Sequence, residues 1–563
     1  MSGVPGGTNN QNGRFEFADG ASSHTGIGMA DAALGLFSTY AEIGPRSYTP
    51  YRSHMVEFFG QDSWRVSEKL KLELGFRGTW MNGYYKSLWG NIAVFRPDKY
   101  DPSKAAVLDS KGNIVSGDRF NGVVIPGSSF PDAGKGRVPA IDSGEYDRLL
   151  DGGSPYPAEN QFNVVPRVGL AYSLTGKDVV RAGFGGFISR PPVYDSVFLG
   201  GNPPWQPMVS VSNGSADNPS GGQRTAFPQF FMTVDPKYKI PRSYNWNATY
   251  QRQLTSDTTV EVGYVGTVGN YLSRERDLNQ PMTGARFKPE NQGLNIANLR
   301  PYAGFQNIPM LEHSGRSTYH ALQLEVNRRF SKGFLYGFAY TLSKAMDNNT
   351  EFRNRFYDVY NQYLNWGKSA NDTRHVAVVN FVWEMPFFNH KSGLLRTALG
   401  GWQMSGVMQF QTGAPITIGR GDDYLGIGST DTKPWNLNGE TTQPQQFANR
   451  NAAGTFDGVT DYWFSPTVDG KPWATVPANG TLPNQNRNSV SFNNVGFQNW
   501  NLALFKAFRI GERHAFQFRA EGFNWLNHPN WRGVDTDPGS KTFGMVNNKE
   551  HERQLQLSLR YSF

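Results

Sequence analysis

The end of the chain alternates strictly. Leu555, Leu557, Leu559, Tyr561 and Phe563 take turns with Gln556, Ser558, Arg560 and Ser562. A period of two puts apolar side chains on one face of a β-strand and polar ones on the other. At about ten residues, the strand has the length a tilted strand needs to cross a bilayer. A long edge strand of a soluble sandwich reads the same way, so the rest of the chain has to separate the two.

The pattern recurs in pairs. A strand over 56–66 turns at Ser67-Glu68. It returns with Leu70, Leu72, Leu74, Phe76, Gly78 and Trp80 against Lys71, Glu73, Gly75, Arg77 and Thr79. The next pair is 162–174 with 179–190. After it, Tyr244, Trp246, Ala248 and Tyr250 lead to a return through Val260, Val262 and Tyr264. The clearest pair sets Leu322, Leu324, Val326 and Phe330 against Gln323, Glu325, Asn327 and Arg329, then returns through Phe334, Tyr336, Phe338 and Tyr340. Strands over 376–385 and 402–411 flank a longer turn, 387–400. Strands over 500–508 and 516–525 flank a turn at Gly511-Glu512. The first fifty residues, 1–50, are irregular, with weak strands at 13–19 and 37–44 and a helical turn at 30–37. Roughly fourteen to sixteen strands are expected in all.

Loop length alternates as regularly as the side chains. Polar stretches at 82–159, 191–242, 273–316, 347–372, 415–494 and 527–550 take turns with tight turns, so every long loop leaves the same end of the sheet. A sandwich has no reason to sort its loops; a barrel in the bacterial outer membrane does, with short turns in the periplasm and long loops outside. Lipid offers the backbone no hydrogen-bond partner, so a sheet there must close. Polar faces such as Gln323/Glu325/Asn327/Arg329 then face a wet or protein-filled lumen. Trp64, Trp80, Trp525 and Tyr561 lie near strand ends, where amphipathic rings suit the interface. The expected fold is therefore an all-β, antiparallel, up-and-down transmembrane barrel over 51–563, with outer-membrane lipid as its surroundings.

Composition agrees. Of 563 residues, 14% are aromatic, 63 are glycine and only 18% are charged, which favours strands and turns over helices. With no cysteine there is no disulfide framework and no thiolate metal site. The net charge of +8 comes without a basic run, so nucleic acid is not an expected partner. The opening MSGVPGGTNNQNG has neither a basic start nor an apolar core. A barrel must be exported, so either the mature chain is numbered from Met1 or its true start lies upstream.

Several strings together resemble the barrel of the Oar-like TonB-dependent receptors, the family with a carboxypeptidase-regulatory-like first domain. They are VEFFGQDSWRVSEKLKLELGFR, PRVGLAYSLTGKDVVRAGFGGF, WNATYQRQLTSDTTVEVGYVGTVGNYL, STYHALQLEVNRRFSKGFLYGFAYTLSKAMDN, GWQMSGVMQFQTGAP and RQLQLSLRYSF. The resemblance covers about 12–563. It implies a larger barrel of which this is the C-terminal portion, a plug and a TonB-contacting segment that have no counterpart here, an energy-coupling TonB-type partner, and an unidentified bulky extracellular ligand. The terminal Leu555, Leu557, Leu559, Tyr561 and Phe563 resemble the signal read by the barrel-assembly machinery.

No enzyme, cofactor or metal is expected. The nine histidines are scattered without paired-ligand spacing. Gly421-Asp422-Asp423 with Asp431 is acidic enough for a calcium loop but lacks its spacing. Glu550-His551-Glu552 reads as a solvated strand start. The remaining candidates are loop aromatics taken as exposed, Trp205, Tyr424, Trp435, Tyr462, Trp463 and Trp473, which stack on sugars or grip peptides, or else pack the loops on one another. Transport, surface adhesion with the barrel as an anchor, and a soluble glycan-binding protein stay open as functions at this point.

Overall fold

The computed structural model describes residues 14–18, 25–43, 49–205, 208–218, 223–224, 228–351, 355–441, 462–510 and 513–563. Among them, thirteen strands follow one another in a single antiparallel path. They are β1 (Met55–Arg65), β2 (Leu70–Gly83), β3 (Ala158–Ser173), β4 (Asp178–Ile188), β5 (Arg242–Gln253), β6 (Thr258–Asp277) and β7 (Pro309–Ser331). The path continues through β8 (Phe334–Asp347), β9 (His375–Glu384), β10 (Trp402–Gln411), β11 (Phe497–Ile510), β12 (His514–Phe523) and β13 (Gln554–Ser562). Two short strands, Thr233–Val234 on β7 and Gly367–Lys368 on β8, bring the sheet to fifteen. The path itself holds thirteen, because the weak strands expected before residue 50 pair in a separate sheet. The Gly511-Glu512 turn lies outside the described residues.

The register turns alternation along each strand into one continuous apolar face. Leu322, Leu324 and Val326 of β7 stand opposite Tyr264, Val262 and Val260 of β6 and opposite Leu342, Tyr340 and Phe338 of β8. At the far end, Phe516, Phe518 and Ala520 of β12 meet Tyr561, Leu559 and Leu557 of β13. Gln323, Glu325 and Asn327 share the other face with Gly263, Glu261 and Thr259. A slip of one residue would swap the faces along a whole strand, so this pattern holds the register. Two glycines let broad rings lie flat on the apolar face. A methyl on Gly266 would fall 2.2 Å from the Trp246 ring, and one on Gly78 would fall 2.2 Å from Phe58.

β6 and β7 outrun the expectation. Residues 273–316 read as a loop, yet pairing continues through Ser273↔His313 and Arg274↔Glu312 to Asp277↔Pro309. Past the bulge at Asn270/Leu272 the strands carry charge on both faces, so the apolar period disappears while the backbone ladder persists. The chain before β1 forms strands at Arg14–Glu16 and Leu36–Ile43 around a helix, α1 (Gly28–Leu34). These strands join Met208–Ser215 and Gln223–Arg224 in a separate four-stranded sheet.

Among the described residues, no strand pairs with the outer edge of β1 or of β13. Because thirteen is odd, these two edge strands run in the same direction.

Candidate ligand-capture site

The long connections gather at one end of the sheet and fold against each other. One apolar cluster joins Met81 and Leu311 of the sheet to Tyr84, Ile92, Val94, Leu199, Tyr238 and Ile240 from two loops. A second holds Phe95, Ile125, Phe231, Phe305 and Ile308. Side-chain amides stitch the backbones between them. Asn202 Nδ2 donates to the Ala93 and Met232 carbonyls at 2.7 and 2.6 Å, and its Oδ1 accepts from Met232 N. Asn279 bridges Tyr302, Phe305 and Gln306 in the same way. Far along the chain, Ile418, Phe464, Trp473, Phe492 and Phe543 form a third cluster. Loops built like this are ordered bodies rather than free tethers.

Under these clusters, the extended ends of β6, β7 and β8 carry a charged network. Arg276 grips Glu312 in bidentate fashion, Nε to Oε2 at 2.6 Å and Nη2 to Oε1 at 2.9 Å. Arg355 reaches Glu275 at 3.2 Å. Arg487, from the loop after β10, donates to the Asp347 carboxylate and to the Asp347 carbonyl at the end of β8. The Arg274 guanidinium lies 3.5 Å from the centre of the Phe356 ring, and its buried Nε and Nη2 meet no acceptor. Arg300 is held by the Asn279 carbonyl and by Asp277; burial pushes its pKa down and Asp277 pulls the other way. No apolar period announces this network in the sequence. Its one signal is the run Arg274-Glu275-Arg276-Asp277, dense in charge inside a stretch taken for loop.

The acidic stretch 421–431 folds around a cation of its own. Lys433 Nζ donates to the carbonyls of Ser429 (2.6 Å), Asp431 (3.0 Å) and Asp422 (3.4 Å). Burial lowers the ammonium's pKa, opposed by Asp423, Asp431 and Asp422. Asp423 accepts from the Ile427 and Gly428 amides and from Arg286. These contacts account for the acids structurally.

The family model described as outer membrane beta barrel domain matches residues 6–556, nearly the whole chain. The chain belongs to the outer membrane beta barrel domain family. It is an outer-membrane protein of bacteria; its apolar sheet face meets lipid and its polar face lines the lumen. No curated protein sequence matches it. Solved structures with a similar arrangement include the siderophore receptor PiuA from Acinetobacter baumannii, at 7% identity and a TM-score of 0.39 over 94% of this chain and 44% of that one. The copper transporter OprC matches at 10% identity and 0.37, over 91% of this chain and 49% of that one. The outer membrane transporter YddB from Escherichia coli matches at 8% and 0.40, over 91% and 55%. The chain spans about half the length of the solved structures it matches.

Within this outer-membrane barrel the six loop aromatics fall into separate places. Trp205 is buried in the second cluster, edge-on to Phe130 and Tyr146. Tyr424 is buried with Leu425 and Ile427, and its hydroxyl donates to Pro434 O at 2.6 Å. Trp473 sits in the third cluster with its indole on Gly439 O. These three were expected to be exposed; they pack the loops instead, because each polar tip finds a backbone carbonyl or is closed in by neighbouring rings. Trp435 packs beside Tyr424, and Trp463 donates to Asn493 O at 2.7 Å. Tyr462 bridges to Met545. These last three keep part of their surface open. The terminal Leu555, Leu557, Leu559, Tyr561 and Phe563 are exposed on the lipid side.

One loop reports on pH. Asp535, between β12 and β13, is burdened by burial, yet the Ser540 and Thr542 hydroxyls and the Asp537 amide hold its carboxyl below the usual range. A depressed folded pKa gives stability that is present above the unfolded value and lost as pH falls through the folded one. Limited proteolysis of the 527–550 loop is therefore expected to speed up below the ordinary aspartate range. The same acid step in Asp535→Asn is expected to be small.

Proposed function

We propose that this chain is the C-terminal barrel portion of an Oar-like TonB-dependent receptor, a carrier rather than an enzyme, moving a bulky ligand across the outer membrane. The observation that carries this reading is the combination of a polar lumen face with loops that are ordered and stacked at the outer end. Ligand meets the loops first, and Trp435, Tyr462 and Trp463 are the rings with open surface to hold it. A lumen lined by both signs, for example Glu325 with Arg329 and Arg519 with Glu521, favours no single ion.

The two free edges support a larger barrel. In lipid an unpaired edge is forbidden. Because β1 and β13 run the same way, antiparallel closure needs an odd number of further strands between them. Those strands, the plug and the segment that contacts the TonB-type system belong to polypeptide outside 55–562 in this reading. Leu555, Leu557, Leu559, Tyr561 and Phe563 serve the barrel-assembly machinery. An antibody to residues 527–550, used on outer-membrane fractions with and without boiling, tests the closure. A heat-shifting band far larger than this chain is expected; a heat-shifting band at the size of this chain alone would overturn it. Uptake that survives deletion of the TonB-type partner, alongside lost cell contact, would replace transport with adhesion.

A further inference from the structure

The turns between β1 and β2, β3 and β4, β5 and β6, and β7 and β8 span four residues or fewer. The connection from β9 to β10 spans 385–401 and contains a helix, α2 (Gly393–Leu399). It is an ordered turn. Met385 N donates to Trp402 O, and Asn389 ties the two ends by accepting from Gly401 N and donating to Met385 O. Phe388 and Gly401 take left-handed backbone angles, φ 62° and 70°.

Among the described residues, its apolar side chains stay largely uncovered. Leu394 is 86% exposed, Leu395 55%, Leu399 46%, Phe387 55% and Phe388 44%. At about 100° per residue, Leu394, Leu395, Ala398 and Leu399 share one face of α2, and Arg396 and Thr397 fall on the other. Residues 385–401 contain His390, Lys391 and Arg396 and no carboxylate. Glu384, the nearest acid in sequence, pairs with Gln403 on the lumen side of the register.

The helix is moored to the lipid side of the wall. Trp383 stands opposite Met404, and Trp402 opposite Lys506, all on the apolar face. Phe387 packs edge-on to Trp383 at 5.7 Å. The Trp402 indole donates to the Ala398 carbonyl at 3.1 Å. Lys506 stretches along Trp402 and Phe508 and donates to the Gly400 carbonyl at the end of α2. A lysine on the lipid face is tolerated where its ammonium reaches the interface. Three contacts thus hold α2 outside the barrel wall at the periplasmic rim, continuous with the surface that meets lipid.

We propose that residues 385–401 are an in-plane membrane anchor. Leu394, Leu395, Leu399 and Phe388 enter the periplasmic leaflet of the outer membrane, and Lys391 and Arg396 meet acidic phospholipid headgroups. An interfacial helix of this kind places its apolar face about 5–10 Å into the headgroup–acyl boundary. The proposal rests on the family's outer-membrane location and is independent of what is transported.

Residues 1–563 contain no cysteine, so a single label placed among them is unambiguous within this stretch. Leu394→Cys, Leu395→Cys and Thr397→Cys, each carrying an environment-sensitive fluorophore, are folded as the full protein into phosphatidylcholine vesicles with and without phosphatidylglycerol. A heat-shifted gel band confirms folding of each variant. Labels at 394 and 395 are expected to emit further to the blue and to be quenched several-fold more by brominated lipid than the label at 397. That label should respond to aqueous iodide. The 394 contrast should grow with phosphatidylglycerol and lose that growth in Lys391→Glu/Arg396→Glu. Iodide quenching at 394 and 395 equal to that at 397 would overturn the anchor. So would shielding of both from bromine and iodide, which would show a protein surface covering the turn. Identical contrast in the two vesicle types would overturn the headgroup assignment.

Discussion

Leu324→Arg is expected to block folding of the barrel into lipid, while Gln323→Arg, one residue away, leaves it close to wild type. Leu324 lies mid-strand in β7, on the face where Val262 and Tyr340 are its cross-strand neighbours. A charged side chain on the lipid face near the bilayer centre costs about 2–4 kcal/mol, falling towards zero at the rim and on the lumen face. Two to four kcal/mol is a large fraction of a typical domain's net stability. Folding into vesicles, read by the heat-shifted band against urea concentration, gives the two midpoints. Equal losses in both variants would mean that the faces are assigned wrongly. The outer face already carries charge where the cost is low: Asp178 with Arg252, and Arg328 with Asp257, all sit beside the periplasmic turns.

Arg487→Ala is expected to release the loops that the charged network joins. Arg487 and Asp347 are 6% and 4% exposed, and the arginine also donates to Thr350 Oγ1 at 2.9 Å. Removing one partner of a buried ion pair leaves the other charge uncompensated, at about 3–5 kcal/mol. The strands below stay paired by their own ladder, so the loss is local. Hydrogen exchange should rise in 347–372 and 462–494 and stay unchanged in β7 and β8 below the bulge. Replacing both partners, Arg487→Met with Asp347→Leu, should recover much of the protection, because an apolar pair of similar size is often as stable as the ion pair. Unchanged exchange in Arg487→Ala would show that apolar packing alone holds these loops.

The alternation of Leu322 to Arg329, and of the terminal strand, is enough to name the strands, their faces and the end of the sheet that carries the loops. Those features follow from local chemistry: a strand's period is two whatever it pairs with, and lipid demands a closed ladder. The loop sorting adds the membrane. What residue patterns do not carry is contact between distant segments. The continuation of β6 and β7 past the bulge brings Arg276 onto Glu312 across the sheet, and charge has no period to announce it. The burial of Trp205, Tyr424 and Trp473 depends on which loop covers which, and a tryptophan in a polar stretch reads the same exposed or packed. Likewise, 387–400 reads as a longer turn. Only Trp383, Trp402 and Lys506, brought to one side by the register of β9, β10 and β11, place its helix on the lipid side of the wall. The sequence by itself determined strands, faces and sidedness, because these are set by neighbours along the chain. Tertiary structure decided which loops form a body, where the charges pair and where α2 lies, because those depend on groups as far as 229 residues apart in the chain.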